Sequence, residues 1–347
     1  MSLETLQERI RDAAASRTAL RLCGGGTKDF YGNGLRGEVV DTRAYAGIAG
    51  YEPTELFVTA RCGLSLEELE IALAEHGQML AFEPPHFGPQ ATVGGCVAAG
   101  LSGPRRVTAG PLRDFVLGAK VIDGRARVLG FGGQVMKNVA GYDVSRLLAG
   151  SLGTLALIAE VTFKVLPRPS AELTLRLEMP EARAIEELNR WAGQPLPISG
   201  SAWHDGELHL RLSGSEAAVH AATAKLGGER IAANHLWRDV REHTHPFFRG
   251  DEPLWRVAVP SSTPPLELPG RTLIEWAGGL RWVKSSAAGI RDAAVRARGH
   301  ATLFQAEDKT AGAFTPLAPQ VLQLHRTLKA AFDPAGIFNP GRLYAEL

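Results

Sequence analysis

The sequence predicts an α+β protein with one domain over 1–169, a second over 170–285, and a helical segment over 286–347 that returns to the first. Three observations carry this. The chain has 347 residues, room for about two domains with a substantial core in each. Apolar residues recur with helical period in some segments and with strand period in others. The proline pair in Pro167-Arg168-Pro169 separates a glycine-rich half from a segment that runs strand, helix, strand, strand, helix, strand. That order is a ferredoxin-like split βαβ unit.

Each element has a local reason. Leu3, Leu6 and Ile10 share one face of a helix over 3–15. Residues 19–23 form a short strand that runs into Gly24-Gly25-Gly26-Thr27-Lys28, and further strands are expected at 38–42 and 55–60. Ser65, with Glu68 three residues on, has capping-box spacing, and Gly77 offers that helix a left-handed end. The stretch 84–113 is broken by Gly and Pro, and the apolar residues between them argue for a functional loop. A strand over 115–122 meets Asp123-Gly124, a hairpin signal, and returns through 127–129. A helix is expected over 141–149 and a long apolar strand over 154–166. In the second domain, Trp203-His204-Asp205-Gly206-Glu207 marks the central hairpin, and 236–285 reads as more strands and loops. Helices close the chain at 287–298 and 318–332, and no internal repeat is visible.

Composition excludes several classes. A net charge of +1 demands neither nucleic acid nor an anionic membrane as partner. The three cysteines, Cys23, Cys62 and Cys96, are widely spaced with no C-x-x-C, so neither an iron–sulfur cluster nor a metal site is expected. A reduced, cytoplasmic setting follows. Met1-Ser2-Leu3-Glu4 does not begin a signal peptide, and the apolar run over 147–159 is too short to span a bilayer.

Glycine is about 11% of the chain, above the usual 7% or so, and its placement carries the chemistry. Three consecutive glycines after a strand let successive backbone N–H groups converge on an anion, with Thr27 adding a hydroxyl and Lys28 a charge. Cys23 to Lys28 is therefore either a pyrophosphate cradle or a strained surface turn. It is not a Walker A loop, and its spacing is not that of a Rossmann fingerprint. A second small-residue strip runs from Ala91 to Gly103, and a third from Gly141 to Leu155.

Together these strips, with the closing Ile337-Phe338-Asn339-Pro340-Gly341, resemble the FAD-binding domain of the vanillyl-alcohol oxidase and p-cresol methylhydroxylase (PCMH) superfamily. The runs Gly94–Arg105, Phe131–Asp143 and Leu280-Arg281-Trp282 are similar to the smaller FAD-binding subunits of bacterial glycolate oxidases within it. The resemblance implies a two-subdomain PCMH-type FAD-binding domain under a short ferredoxin-like cap. It implies that Cys23, Gly24, Gly25, Gly26, Thr27 and Lys28 hold the pyrophosphate. It implies that Thr92, Gly94, Gly95, Gly100, Ser102, Gly103 and Gly110 line a second strip, that Ile158 presents its backbone to the adenine part, and that Asn339 approaches the flavin end. Members often attach FAD through His or Cys, but no His lies in 21–32, so non-covalent FAD is expected.

The resemblance also implies partners: a larger FAD-binding subunit and an iron–sulfur subunit of a glycolate oxidase-like complex, through which this chain would sit peripherally at the inner face of the membrane. Oxidising a small 2-hydroxy acid needs a cation for its carboxylate and a base for its hydroxyl proton. Arg281, beside Trp282, is the candidate for the first, or a surface Arg stacked on Trp. His245 of His243-Thr244-His245 is the candidate for the second, or part of a solvated loop. His86, Lys137 and Asn138 are further candidates near the cofactor or a partner. The alternative function is a scaffolding subunit with structural FAD or none.

Overall fold

Leu6, Ile10 and Ala13 form the buried face of α1 (Leu3–Ser16), which Ser2 caps by accepting from the Thr5 N–H. The computed structural model describes residues 1–133, 143–233 and 235–347. Lys137, Asn138 and the start of the helix expected over 141–149 lie outside the described residues.

The first domain has two subdomains. In the first, β1 (Leu20–Cys23) pairs in parallel with β2 (Glu38–Asp41) against α1. The second contains β3 (Ile48–Glu52), β4 (Phe57–Arg61), α2 (Leu66–Glu75) and β5 (Gln78–Met79). It continues with α3 (Val93–Ala99), α4 (Arg106–Ala109), β6 (Val116–Ile122), β7 (Val128–Gly132), α5 (Val144–Leu147), β8 (Leu157–Lys164) and β9 (Leu166–Pro167). Its five-stranded sheet has the order β3-β4-β8-β6-β7. Ser65 caps α2 by accepting from Glu67 and Glu68 N–H, and Gly77 is left-handed, as the spacing predicts. The β6–β7 turn is longer than a two-residue Asp-Gly loop. Asp123 accepts from the Arg125 and Arg127 N–H groups, and Ala126 takes the left-handed position (φ 57°).

The second domain is one eight-stranded sheet. Its elements are β10 (Ala171–Glu178), α6 (Glu181–Ala192), β11 (Ile198–His204), β12 (Glu207–Gly214), α7 (Glu216–Leu226), β13 (Glu229–Ile231) and α8 (Leu236–Glu242). Then come β14 (Leu254–Ala258), β15 (Arg271–Glu275), β16 (Leu280–Lys284), α9 (Ile290–Arg296) and β17 (His300–Gln305). The sheet order is β13-β10-β12-β11-β15-β16-β14-β17. The first four strands lie 4-1-3-2 in their chain order, the ferredoxin-like arrangement that the element order predicts. The last four repeat 4-1-3-2 when read from the opposite edge, with the proline-rich 259–270 in place of the first crossover helix. The boundary expected at 285 thus cuts the second unit, because β17 pairs with β14 along the outer edge. Past β17, α10 (Pro319–Phe332) leads back to the first domain, where Phe338 bridges to Leu20 of β1.

Charged groups fasten the cap to the first domain. Glu83 is held by Arg105 of its own domain and Arg211 of β12, with 2.8 Å to the latter. Glu242, at the end of α8, accepts from the His86 and Phe87 N–H groups at 3.0 and 2.7 Å. Glu83 and Phe87 both have positive φ, so these contacts hold a loop that is unfavourable on its own.

Candidate functional site

A cleft with about 790 Å³ of open space, partly continuous with solvent, lies where the two subdomains of the first domain meet. Its walls are the 22–29 loop, Thr92, Gly94, Gly95, Ala98 and Ala99 at α3, the start of β8, and Gly153, Asn339 and Arg342. The glycines are there because the elements touch. A Cβ on Gly25 would lie 1.6 Å from the Gln90 carbonyl oxygen, one on Gly24 2.2 Å from Thr92 Oγ1, and one on Gly94 2.7 Å from Cys62 Cβ.

The loop's carbonyls and side chains are tied from outside. Arg342 donates to the carbonyls of Asn33, Lys28 and Asp29, Arg21 pairs with Asp29, and Lys309 donates to the Phe30 carbonyl. Among the described residues, no protein acceptor takes the N–H groups of Gly24 to Lys28. Such a row of free N–H groups is an anion cradle, and it fits a diphosphate. Lys28 does not point its charge at the loop alone: its Nζ donates to Thr27 Oγ1 and, at 3.1 Å, to the His86 carbonyl, and burial pulls its pKa down.

At the other end, β4 stops pairing with β8 opposite Glu160, so the backbone of Leu157 and Ile158 opens on the cleft. Asn339 Oδ1 accepts from the Leu22 N–H at 2.8 Å and its Nδ2 donates to the Leu152 carbonyl, which clamps β1 to the segment before β8. Cys62 and Cys96 are buried, and burial pushes both thiols up to about 12. Neither is a thiolate near neutral pH, so neither is suited to attach a ligand covalently.

The remaining strip residues separate. Gly100 ends α3 in the left-handed conformation, packed against Gly150, and Gly110 ends α4 beside Asp114. Neither lines the cleft. Ser102 and Gly103 line a second, smaller cavity between the domains, with Phe87, Arg241, His243, Arg256, Glu275, Trp282 and Phe304.

The two catalytic candidates lie elsewhere. Side chains alternate along β16, so Arg281 points away from the face that Trp282 turns toward the first domain. Its guanidinium, 1% exposed, donates to the Gly278 and Thr263 carbonyls and pairs with Glu181 at 3.3 Å. His245 accepts from the Phe247 N–H and faces a surface depression beside His204 and His209. His86 sits 3.3 Å from Glu70 behind the loop. No group of three His, Cys, Asp or Glu among the described residues could hold a metal ion.

Sequence reasoning missed His243, Arg256 and Glu275. His243 leaves α8 in the left-handed conformation and stacks on Phe248, with Phe87, Trp282 and Phe304 around it, and burial lowers its pKa to about 3. Glu275 accepts from Trp282 Nε1 at 2.7 Å through Oε2, Oε1 has no partner, and burial raises its pKa to about 7. The usable signal was a charged residue inside each of two apolar strands, Leu254-Trp255-Arg256-Val257 and Leu273-Ile274-Glu275-Trp276.

Glu275 gives a pH prediction. Its folded pKa of about 7 is above the reference 4.5, so its favourable contribution is complete below pH 4.5 and is lost as pH rises through 7. Glu275→Gln removes that loss. Relative to wild type, the variant should gain on the order of 3 kcal/mol between pH 4.5 and 8, by urea unfolding. An equal difference at both pH values would refute the shift.

Comparison with known proteins gives a consistent picture. The FAD binding domain family matches residues 1–132, and the C-terminal domain family of FAD linked oxidases matches residues 310–343. The glycolate oxidase subunit GlcE of Escherichia coli is 48% identical over 346 residues, 99% of this chain and 98% of that protein. A D-lactate dehydrogenase of Archaeoglobus fulgidus is 28% identical, over 91% of this chain and 85% of the other. The glycolate oxidase subunit GlcD of Bacillus subtilis is 38% identical over 108 residues, 31% of this chain and 23% of its own length. An alkyldihydroxyacetonephosphate synthase structure superposes with TM-score 0.68 at 15% identity, covering 97% of this chain and 75% of its own.

Proposed function

The chain belongs to the family of FAD-linked oxidases that contains the glycolate oxidase subunit GlcE, and from that premise we propose that it is the FAD-binding subunit of a glycolate oxidase-type complex. The reaction is oxidation of a small 2-hydroxy acid, glycolate to glyoxylate, with electrons passed to another subunit or acceptor. The observation that supports the reading is the row of residues from Gly24 to Lys28 that lines the cleft with no protein acceptor for its N–H groups among the described residues.

In this assignment Cys23 to Lys28 hold the diphosphate, and Thr92, Gly94 and Gly95 form the facing wall. The open backbone of Leu157 and Ile158 lies beside the adenine, and Asn339 keeps β1 in place behind the loop. The strip from Ala98 to Gly103 lines first the cleft and then the small cavity, so it leads from diphosphate to ring. Bound FAD supplies the two-electron acceptor. The chain's own residues bind and orient it. With no histidine in the loop and both buried thiols protonated, FAD is held without a covalent bond.

Three free cysteines cannot hold the clusters of an electron-transfer chain. A larger flavoprotein subunit and an iron–sulfur subunit are therefore the proposed partners. No helix among the described residues is long and apolar enough to cross a membrane, and those partners would supply any attachment to its inner face.

The test is the visible spectrum of the purified chain, before and after denaturation and removal of protein, followed by anaerobic glycolate. The expected result is a flavin spectrum released intact into solution and bleached by glycolate in the assembled complex. A folded, colourless chain that refuses added FAD would replace this reading with the scaffolding one.

A further inference from the structure

A broad groove begins where the cofactor cleft ends. Asp29 borders both, and the groove continues between residues 30–36, the 306–317 loop and residues 341–346. It holds about 1720 Å³ of open space, partly continuous with solvent. Small-molecule sites are smaller, roughly 300–1,000 Å³. Phe314, Leu317, Leu322 and Leu343 give it an apolar, half-buried lining. Leu322 belongs to α10, where Val321 and Leu324, one turn apart, are 43% and 57% exposed. The rim is acidic. Glu307, Asp308 and Glu346 are exposed and form no ion pair among the described residues. Asp29 is answered by Arg21. Of the two cations in the lining, Lys309 turns inward to the Phe30 and Phe304 carbonyls, which leaves Arg36 against three carboxylates.

The walls of this groove are also the ties of the phosphate-binding loop. Asn33 Nδ2 donates to the Gly341 and Leu343 carbonyls at 3.0 and 3.1 Å, and its Oδ1 accepts from the Ala313 N–H at 2.7 Å. Arg342 reaches from the same segment to the Lys28 and Asp29 carbonyls. A molecule that clasps 306–317 and 341–346 against residues 30–36 therefore restrains the loop that lines the cofactor cleft.

We propose that this groove docks a segment of a partner subunit, an apolar side chain flanked by Lys or Arg, and that docking slows the loss of FAD from the adjoining cleft. This rests on the reading of the chain as the FAD-binding subunit of a complex. An apolar centre inside a charged rim is the usual anatomy of a protein–protein contact, and rim charge selects a partner of opposite sign. A second copy of the chain fits poorly, because a twofold contact sets the acidic rim against itself. An anionic membrane is repelled for the same reason. The coupling is reciprocal: a partner that tightens FAD is itself held more tightly by the FAD-loaded chain.

Hydrogen exchange of the full chain, alone and assembled with the larger flavoprotein and iron–sulfur subunits, tests the surface. Amides over 306–317 and 341–346 should exchange at least tenfold more slowly in the complex, and flavin should leave at least tenfold more slowly on dialysis. Glu307→Lys, Asp308→Lys and Glu346→Lys together should weaken assembly at least tenfold at low salt, while the isolated chain keeps its flavin absorbance. Glu8→Lys, Glu75→Lys and Glu186→Lys together make the same charge change at exposed sites elsewhere and should assemble as wild type does. Failure to assemble, unchanged exchange over both segments, or assembly indifferent to the rim reversal overturns the docking site. A dimer of the chain alone that the rim reversal abolishes overturns it in favour of a contact between copies. Docking with unchanged flavin release overturns the coupling. A chain that takes up no flavin yet is protected over 306–317 in the complex overturns the FAD reading and leaves the docking surface standing.

Discussion

Gly25→Asp yields a protein that purifies without flavin, with the absorbance near 450 nm lost while the fold remains. Two effects combine. The new Cβ would overlap the Gln90 carbonyl, at 1.6 Å, so the loop must move off the 90–92 wall. The carboxylate would also enter a cradle whose free N–H groups are set for an anion, and repel a diphosphate there. A loss of affinity of at least about 100-fold is expected, since several charge-assisted hydrogen bonds of roughly 1.5–3 kcal/mol each are disrupted. Gly50→Ala, where a Cβ meets nothing within 4 Å, is the control and should stay yellow. Stoichiometric flavin in Gly25→Asp would end the assignment of this loop.

Asp333→Ala carries the largest expected loss of stability. Asp333 is 1% exposed and accepts from Lys329 Nζ at 2.8 Å and from the Ile337 and Phe338 N–H groups. Lys329 also donates to the Thr154 and Phe338 carbonyls, and burial already lowers its pKa. Removing the carboxylate strands a buried ammonium and two N–H groups, a change that costs about 3–5 kcal/mol. Because Phe338 and Asn339 are the contacts that hold β1, flavin affinity should fall as well. Urea unfolding measures the first effect. The pair Lys329→Met with Asp333→Leu should lose less than Asp333→Ala alone, and a single variant within 1 kcal/mol of wild type would refute the argument.

Much of the cofactor end was legible because it depends on backbone. The capping spacing at Ser65 and the strand–helix order over 171–231 are local signals, and each became the expected element, while the glycines of the 24–26 run line the cleft. The catalytic end was not legible for a reason of parity. Arg281 and Trp282 are neighbours in sequence and lie on opposite faces of β16. The arginine that shares Trp282's face is Arg256, on the next strand. Nothing in a single strand says which face looks at the cofactor. A strand over His243-Thr244-His245 would put both imidazoles on one face, but α8 ends there, and the left-handed turn at His243 sends the two rings to different cavities. The second 4-1-3-2 unit left no repeated residues to find. Its missing helix, replaced by Pro-rich 259–270, erased the period that would have revealed it.

Two units joined at corresponding edges also set where the strand ladder of the cap is shortest. Eight residue pairs knit β10 to β12, yet only two, Ala202 with Glu275 and Trp203 with Ile274, cross between the halves. The ladder between these two plates is therefore short, in the geometry that two copies of one plate would take about a twofold axis, and side chains on one face reinforce it: Asn189 donates to the Ser261 and Ala277 carbonyls, and Arg281 pairs with Glu181. Glu275 lies on that ladder, so the seam between the plates also forms part of the wall of the small cavity.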